Sequence, residues 1–205
     1  MFSNLEINRT LVKNEPMRVF KKAVSEEAVL AEWAEIQAAR RDPVHFRPLY
    51  DRYFEAIFRF VFRRTADEEL SADLCAQVFL KALQKLDSYQ FKGVPFSSWL
   101  FRIASNEIAQ HYRQSRKNRV VSADDTDLSD MMDEMEEGDQ EMHLENLAKV
   151  LDTLNDKDLQ LIELRFFEQR PFKEIAEILD ITESNAKVKT YRILERLKTK
   201  LINLA

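Results

Sequence analysis

Glycine occurs twice in this sequence, proline five times and cysteine once. With Leu, Ala, Glu and Lys abundant, that scarcity points to an all-α chain. The lone Cys75 excludes an internal disulfide framework and fits a reducing compartment, so the expected localisation is cytoplasmic. No apolar run approaches the roughly 20 residues that cross a bilayer, and no membrane insertion is expected. The first 20 residues lack a continuous apolar segment after a basic start, which argues against a secretory signal. Also missing are a glycine-rich phosphate loop, a metal-ligand cluster and a histidine placed with Ser or Cys for nucleophilic catalysis. No catalytic residue, metal site or cofactor is therefore expected, and the chain does not read as an enzyme. Its 205 residues suit one domain or two small ones, and a 45% hydrophobic share can fill a core.

The net charge of −5 hides a segregation along the chain. No Lys or Arg lies between Val120 and Lys149, while residues 124–141 hold ten Asp or Glu. Without those ten, 31 basic residues stand against 26 acidic ones, a net of +5. An acidic stretch so poor in large apolar groups cannot bury enough surface to order itself and reads as a linker. Its Met residues and Leu128 leave open a helix formed on a partner.

Helical periodicity accounts for the rest. Residues 1–24 show no clear period and read as a tail. Ser25 caps a predicted helix with Glu26 and Glu27 in its first turn, Arg40 and Arg41 in its last, and Asp42-Pro43 as its stop. A second helix is predicted from Pro43 to Arg64, with an aromatic stripe that includes Phe46, Tyr50, Tyr53, Phe54 and Phe60 as bundle core. A third runs from Asp67 to Leu86, with Leu70, Leu74, Val78 and Ala82 inward and Cys75 as a small buried hydrophobe. The loop 87–95 contains Gly93 and Pro95. A fourth helix extends to about Lys117 and ends in His111, Arg113, Arg116, Lys117 and Arg119, more cations than its dipole needs. After the linker come a helix holding Leu147, Val150, Leu151 and Leu154, then a helix capped by Asp156.

The segment RPFKEIAEILDITESNAKVKTYRILERLKTKL (170–201) closes the pattern. It reads as a short helix, the turn Asp180-Ile181-Thr182, and a longer basic helix that Thr182 can cap. This is the outline of a helix-turn-helix, whose second helix enters a DNA major groove.

Three stretches together resemble a known family: SADLCAQVFLKAL (71–83), FSSWLFRIASNEIAQHYRQSRK (96–117) and the 170–201 segment. In order and spacing they resemble bacterial RNA polymerase sigma factors of the sigma-70 family, extracytoplasmic-function (ECF) group, which keep only the two modules called regions 2 and 4. The resemblance covers residues 25–118 and 144–201. It divides the chain into a tail (1–24), a region 2-like bundle (25–119), an acidic linker (120–143) and a region 4-like module (144–205). Departures fall at Ala76 and Gln77, where the family usually has Gln and Glu, and at His111, usually Asp. Asp180 stands for the usual Gly, and Ala186 and Thr190 for Val and Leu.

The resemblance implies a factor that binds core RNA polymerase and directs it to promoter DNA. Asp73, Leu74, Gln77, Phe79 and Leu80 would meet the polymerase. Tyr89, Phe91 and Lys92 of the loop, with Asn106, Gln110, Arg113, Arg116 and Lys117 of the fourth helix, would meet the melted −10 element. There, aromatic, amide and cationic groups suit unstacked bases and their phosphates. Thr182, Glu183, Ser184, Asn185, Lys187 and Lys189 would meet the −35 element, and Arg170, Arg192 and Arg196 would hold phosphate. Glu183 suits a cytosine amine or the helix N-terminus equally. The altered side chains at 186 and 190 imply that the helix packs on Tyr191, Ile193, Leu194 and Leu197. By the same resemblance the acidic linker would thread toward the polymerase's RNA path, and an anti-sigma factor is an expected partner. The competing reading is a stand-alone helix-turn-helix regulator that does not bind polymerase.

Overall fold

The computed structural model describes residues 24–115, 131, 146–147 and 149–203, and among these residues there are helices and turns but no strand. Helix α1 spans Glu26–Arg41. Ser25 accepts from the Ala28 N–H at 3.2 Å, and the acidic first turn and basic last turn match the two ends of its dipole.

The single helix expected from Pro43 to Arg64 is two elements. A 3-10 turn covers Pro43–Phe46, and α2 covers Arg47–Thr65. The cause is local: the Asp42 carboxylate accepts from the Val44 N–H at 3.0 Å, and Pro48 has no N–H to carry an earlier helix through. Helix α3 spans Glu68–Gln84, capped by Asp67, which accepts from the Leu70 N–H at 3.0 Å. A 3-10 turn over Leu86–Ser88 leads into the loop 89–95. Here Gly93 takes φ 65°, a conformation open to glycine at little cost. Helix α4 then runs Phe96–Ser115.

In the C-terminal part, residues 146–151 hold helix at every described position. Helix α5 covers Asp156–Ile162 and runs on as a π turn over Glu163–Phe167. Its cap is Asn155, which accepts from the Asp158 N–H at 3.0 Å, so Asp156 is not the cap but the first helical residue. Helices α6 (Phe172–Leu179) and α7 (Glu183–Ile202) form the predicted helix-turn-helix. Thr182 caps α7 by accepting from the Asn185 N–H at 3.2 Å. Thr182→Ala should therefore cost about 1 kcal/mol, measurable as a lower urea midpoint, while Thr182→Ser should cost little.

Leu49, Ile57, Phe60, Phe96, Leu100 and Phe101 are fully or almost fully buried among α1–α4, and Leu147, Leu151, Leu159 and Phe166 among the later helices. These side chains belong to one connected apolar cluster rather than two. Met131, the one described residue of the acidic stretch, is fully buried in it. The rest of the predicted linker, and the tail before Val24, lie outside the described residues. Among the described residues no helix is long and apolar enough to cross a membrane.

Cys75 is fully buried, and burial pushes its thiol up to about 12. A thiol so far above neutrality holds almost no thiolate at pH 8. The native chain should thus resist a thiol-exchange reagent at pH 8 and react with it promptly in denaturant. Prompt reaction of the folded chain would contradict this packing.

Candidate functional site

The face proposed for polymerase is built on α3. Its helical period turns Ser71, Leu74, Cys75, Val78, Phe79 and Ala82 into the bundle and leaves Asp73, Gln77 and Leu80 outside. Leu80 is an exposed large apolar side chain. Leu74 and Phe79 are each only 4% exposed. Phe79 is wedged between Tyr50 and Phe54, with ring centroids 4.7 and 6.4 Å away. These two residues therefore support the face from within and do not belong to its surface, a correction to the sequence reading. Tyr50, read as core, instead reaches the surface on the neighbouring helix. Ala76, at a position departing from the family pattern, also lies outside, so its missing polar group thins the surface itself.

The second cluster is the loop 89–95 with α4. Tyr89 is buried, packed 4.9 Å from Trp99 and 5.3 Å from Phe96, and burial pushes its hydroxyl up to about 12. It holds the loop in place and offers no exposed ring, which corrects its predicted role. Phe91 stacks on Trp33 at 5.2 Å, and Arg40 lies 5.0 Å over the Trp33 ring. Arg40 also donates to the carbonyls of Leu86 (2.9 Å) and Tyr89. Lys92 is exposed and paired with Glu177 at 2.8 Å. Asn106, Gln110 and Arg113 are exposed along one face of α4. Arg116 and Lys117 lie outside the described residues.

A buried carboxylate missed in the sequence fixes this cluster. Glu32 of α1, 5% exposed, accepts from the Phe96 N–H at 2.6 Å, the first amide of α4. It also accepts from the Tyr53 hydroxyl and from Arg52 at 3.3 Å. Burial first, then the charge of Glu32, raises the Tyr53 hydroxyl well above its ordinary range. A carboxylate at a helix N-terminus is favourable, and here it sets where α4 begins. Glu107, also buried, pairs with Lys81 and joins α4 to α3. The signal available in the sequence was position: Glu32 shares the inward stripe of Val29, Trp33 and Ile36.

The third cluster is α7. Glu183, Ser184, Asn185, Lys187, Lys189 and Arg192 are exposed on its outer side. Glu183 pairs with Lys187 at 3.1 Å at the helix N-terminus, which favours its dipole role over a base contact. Ala186 and Thr190 are buried at 0% and 1%, and the Thr190 hydroxyl donates to the Ala186 carbonyl at 2.9 Å. Their small size lets α7 sit close on its neighbours. Tyr191 does not pack as expected: it is 52% exposed and, with Val188 at 44%, adds apolar surface between the cations.

Two predicted phosphate ligands are engaged elsewhere. Arg170 lies 4.5 Å over the Phe101 ring and donates to Ser97 at 3.2 Å and Glu174 at 3.3 Å. It faces the N-terminal helices rather than solvent, which corrects its placement. Arg196 pairs with Asp158 and ties α7 to α5. Among the described residues no cluster of three or more His, Cys, Asp or Glu is arranged to hold a metal ion.

Comparison with known proteins agrees with this layout. Residues 49–118 match the family Sigma-70 region 2, and residues 150–199 match Sigma-70, region 4. The ECF RNA polymerase sigma factor BldN of Streptomyces coelicolor is 30% identical over 183 residues, spanning 85% of this chain and 67% of that protein. The ECF RNA polymerase sigma factor SigM of Bacillus subtilis is 27% identical over 151 residues, spanning 73% of this chain and 91% of SigM. In fold, the chain is similar to the sigma factor RpoE of Bartonella quintana, solved in complex with the anti-sigma factor NepR. That likeness has a TM-score of 0.51 and 19% identity, and covers 76% of this chain and 96% of RpoE. The order of the three clusters, the two family matches and the shared identity with BldN lead to one conclusion: this chain belongs to the sigma-70 family of RNA polymerase sigma factors, in its ECF group.

Proposed function

We propose that this chain binds core RNA polymerase and directs it to promoters, its N-terminal helices reading the −10 element and its C-terminal helix-turn-helix the −35 element. The observation that carries this reading is the presence of two DNA-suited faces on different helices of one chain. Asn106, Gln110 and Arg113 line α4, while Ser184, Asn185, Lys187, Lys189 and Arg192 line α7. Amides and cations on α4 suit unstacked bases, and polar and cationic groups on the first turns of α7 suit a major groove. Asp73, Gln77 and Leu80 of α3 supply the polymerase contact, with Tyr50 beside them. The domain limits follow: a region 2-like part over 25–119 and a region 4-like part over 144–205, with 120–143 between them and 1–24 as a tail.

Its role is non-catalytic and cytoplasmic, and it is held in check by an anti-sigma factor. A stand-alone regulator would use α7 alone, and it leaves the region 2 match and the exposed α3 face unexplained. Reconstitution decides between them. Mixed with bacterial core polymerase, the chain should co-elute with it and support run-off transcription from a subset of promoters. A folded sample that binds promoter DNA yet forms no complex with core polymerase would overturn the reading.

A further inference from the structure

The outer side of α7 carries two apolar residues that the promoter reading above does not use. Val188 is 44% exposed and Tyr191 52% exposed, while the other outward residues from Glu183 to Arg192 are polar or charged. A single apolar residue at a surface needs no explanation. Two that neighbour each other at i and i+3 on one helix face form a strip. Folding does not account for Val188, which is exposed and whose β-branched side chain slightly lowers helix propensity.

Position on the helix says what the strip faces. Ala186, Thr190, Ile193, Leu194 and Leu197 are buried and define the inner side of α7. At about 3.6 residues per turn, Val188 falls almost diametrically opposite that side, at the crown of the helix. Lys187 and Lys189 leave on its two flanks. The Lys187 ammonium lies 5.9 Å from the Phe172 ring of α6 and 3.1 Å from Glu183, whereas Lys189 borders the cleft lined by Asp156 and Lys157 of α5. An apolar crown between two cationic flanks matches a major groove, whose walls are phosphate and whose floor is base edges. Of the groups that base pairs present on that floor, only the thymine 5-methyl is apolar.

We propose that Val188 is a specificity-determining residue that packs on a thymine 5-methyl of the −35 element, with Tyr191 shielding the contact from water. The neighbouring side chains agree. Ser184 and Asn185 are exposed on the turn before Val188. An asparagine can grip adenine through N6 and N7, and a serine can bond to any base. An A·T pair presents both the adenine edge and the methyl, so the crown of α7 favours A·T over G·C beneath Val188. A protein partner fits the strip less well. Two side chains fall short of the roughly several hundred Å² of apolar surface that marks such sites, and Lys187, Lys189 and Arg192 ring it.

The contact rests on the promoter reading, and one experiment separates the two. The full chain, assembled with core polymerase, first selects duplexes from a pool of random sequence. Each thymine of the selected −35 stretch is then replaced in turn by dU, which lacks only the 5-methyl. At one position the replacement should weaken binding of the wild-type complex about three- to fivefold, the worth of one buried methyl-sized group. Val188→Ala changes an exposed site and should leave the fold intact; its complex should bind the dT and dU duplexes alike. Lys187→Ala should instead weaken both duplexes together and keep the preference for dT. Equal binding of dT and dU duplexes by the wild type, or an undiminished preference for dT in Val188→Ala, would overturn the contact and leave the promoter reading in place. Loss of affinity for core polymerase rather than for DNA in Val188→Ala would assign the strip to a protein partner and overturn the contact as well. A complex that selects no sequence would overturn the promoter reading itself, and the contact with it.

Discussion

Glu32→Ala is expected to lower the stability of the chain by about 3–5 kcal/mol, the cost of removing one partner from a buried charged network. The carboxylate accepts from the Phe96 N–H, the Tyr53 hydroxyl and Arg52. Alanine leaves the first amide of α4 and the hydroxyl of the half-buried Tyr53 without their acceptor, and a buried orphan of this kind costs about 1–3 kcal/mol. The damage should also reach function, because α4 and the loop before it carry the face proposed for the −10 element. Glu32→Gln keeps the shape and one acceptor oxygen, so it should recover part of the loss. Urea unfolding followed by circular dichroism reads both variants. A change below about 1 kcal/mol for Glu32→Ala would show that water can replace the carboxylate, and that α4 is positioned by apolar packing alone.

The second large effect is electrostatic. Replacing Lys187, Lys189 and Arg192 together by alanine should reduce the salt dependence of promoter binding by the polymerase complex by about three in log–log slope. At about 0.15 M salt the same three counterion-release contributions correspond to a loss of roughly a hundredfold in affinity. The Glu183–Lys187 pair does not spend Lys187, since an exposed pair of this kind contributes little and opens readily. Binding isotherms over a salt series provide the check. An unchanged slope would mean that these cations do not meet phosphate.

Caps are local, and Ser25 and Thr182 both accept the backbone N–H their spacing predicts, while the cap expected at Asp156 falls one residue earlier, at Asn155. The recognition helix is largely legible for a related reason: its apolar period turns Ile193, Leu194 and Leu197 inward, although the same reading placed Tyr191 with them and the structure leaves it exposed. Leu74 and Phe79 show the limit of carrying roles over by motif. A family pattern marks both as part of the polymerase-binding helix, but the period of α3 buries them. Glu32 was missed because its partners lie 21 and 64 residues away, beyond any local pattern. Arg64 and Arg102 look like ordinary basic residues of their helices, and the pairing of Arg64 with Glu163 spans 99 residues. Asp180 was visible as a departure from the pattern, but its approach to Arg102, 3.7 Å away across 78 positions of sequence, was not. The same holds for Met131, whose acidic surroundings gave no hint that its side chain is buried.

The central claim is that two separate faces of one chain read two separate promoter elements. A photo-crosslinking amino acid placed at Asn106 or at Lys189, in the complex with core polymerase on a single promoter, tests it most directly. The account predicts that the probe at Asn106 attaches to the −10 strand and the probe at Lys189 to the −35 duplex, each with little reaction at the other site. Attachment of both probes to the same element, or of the Asn106 probe to no DNA at all, would contradict it.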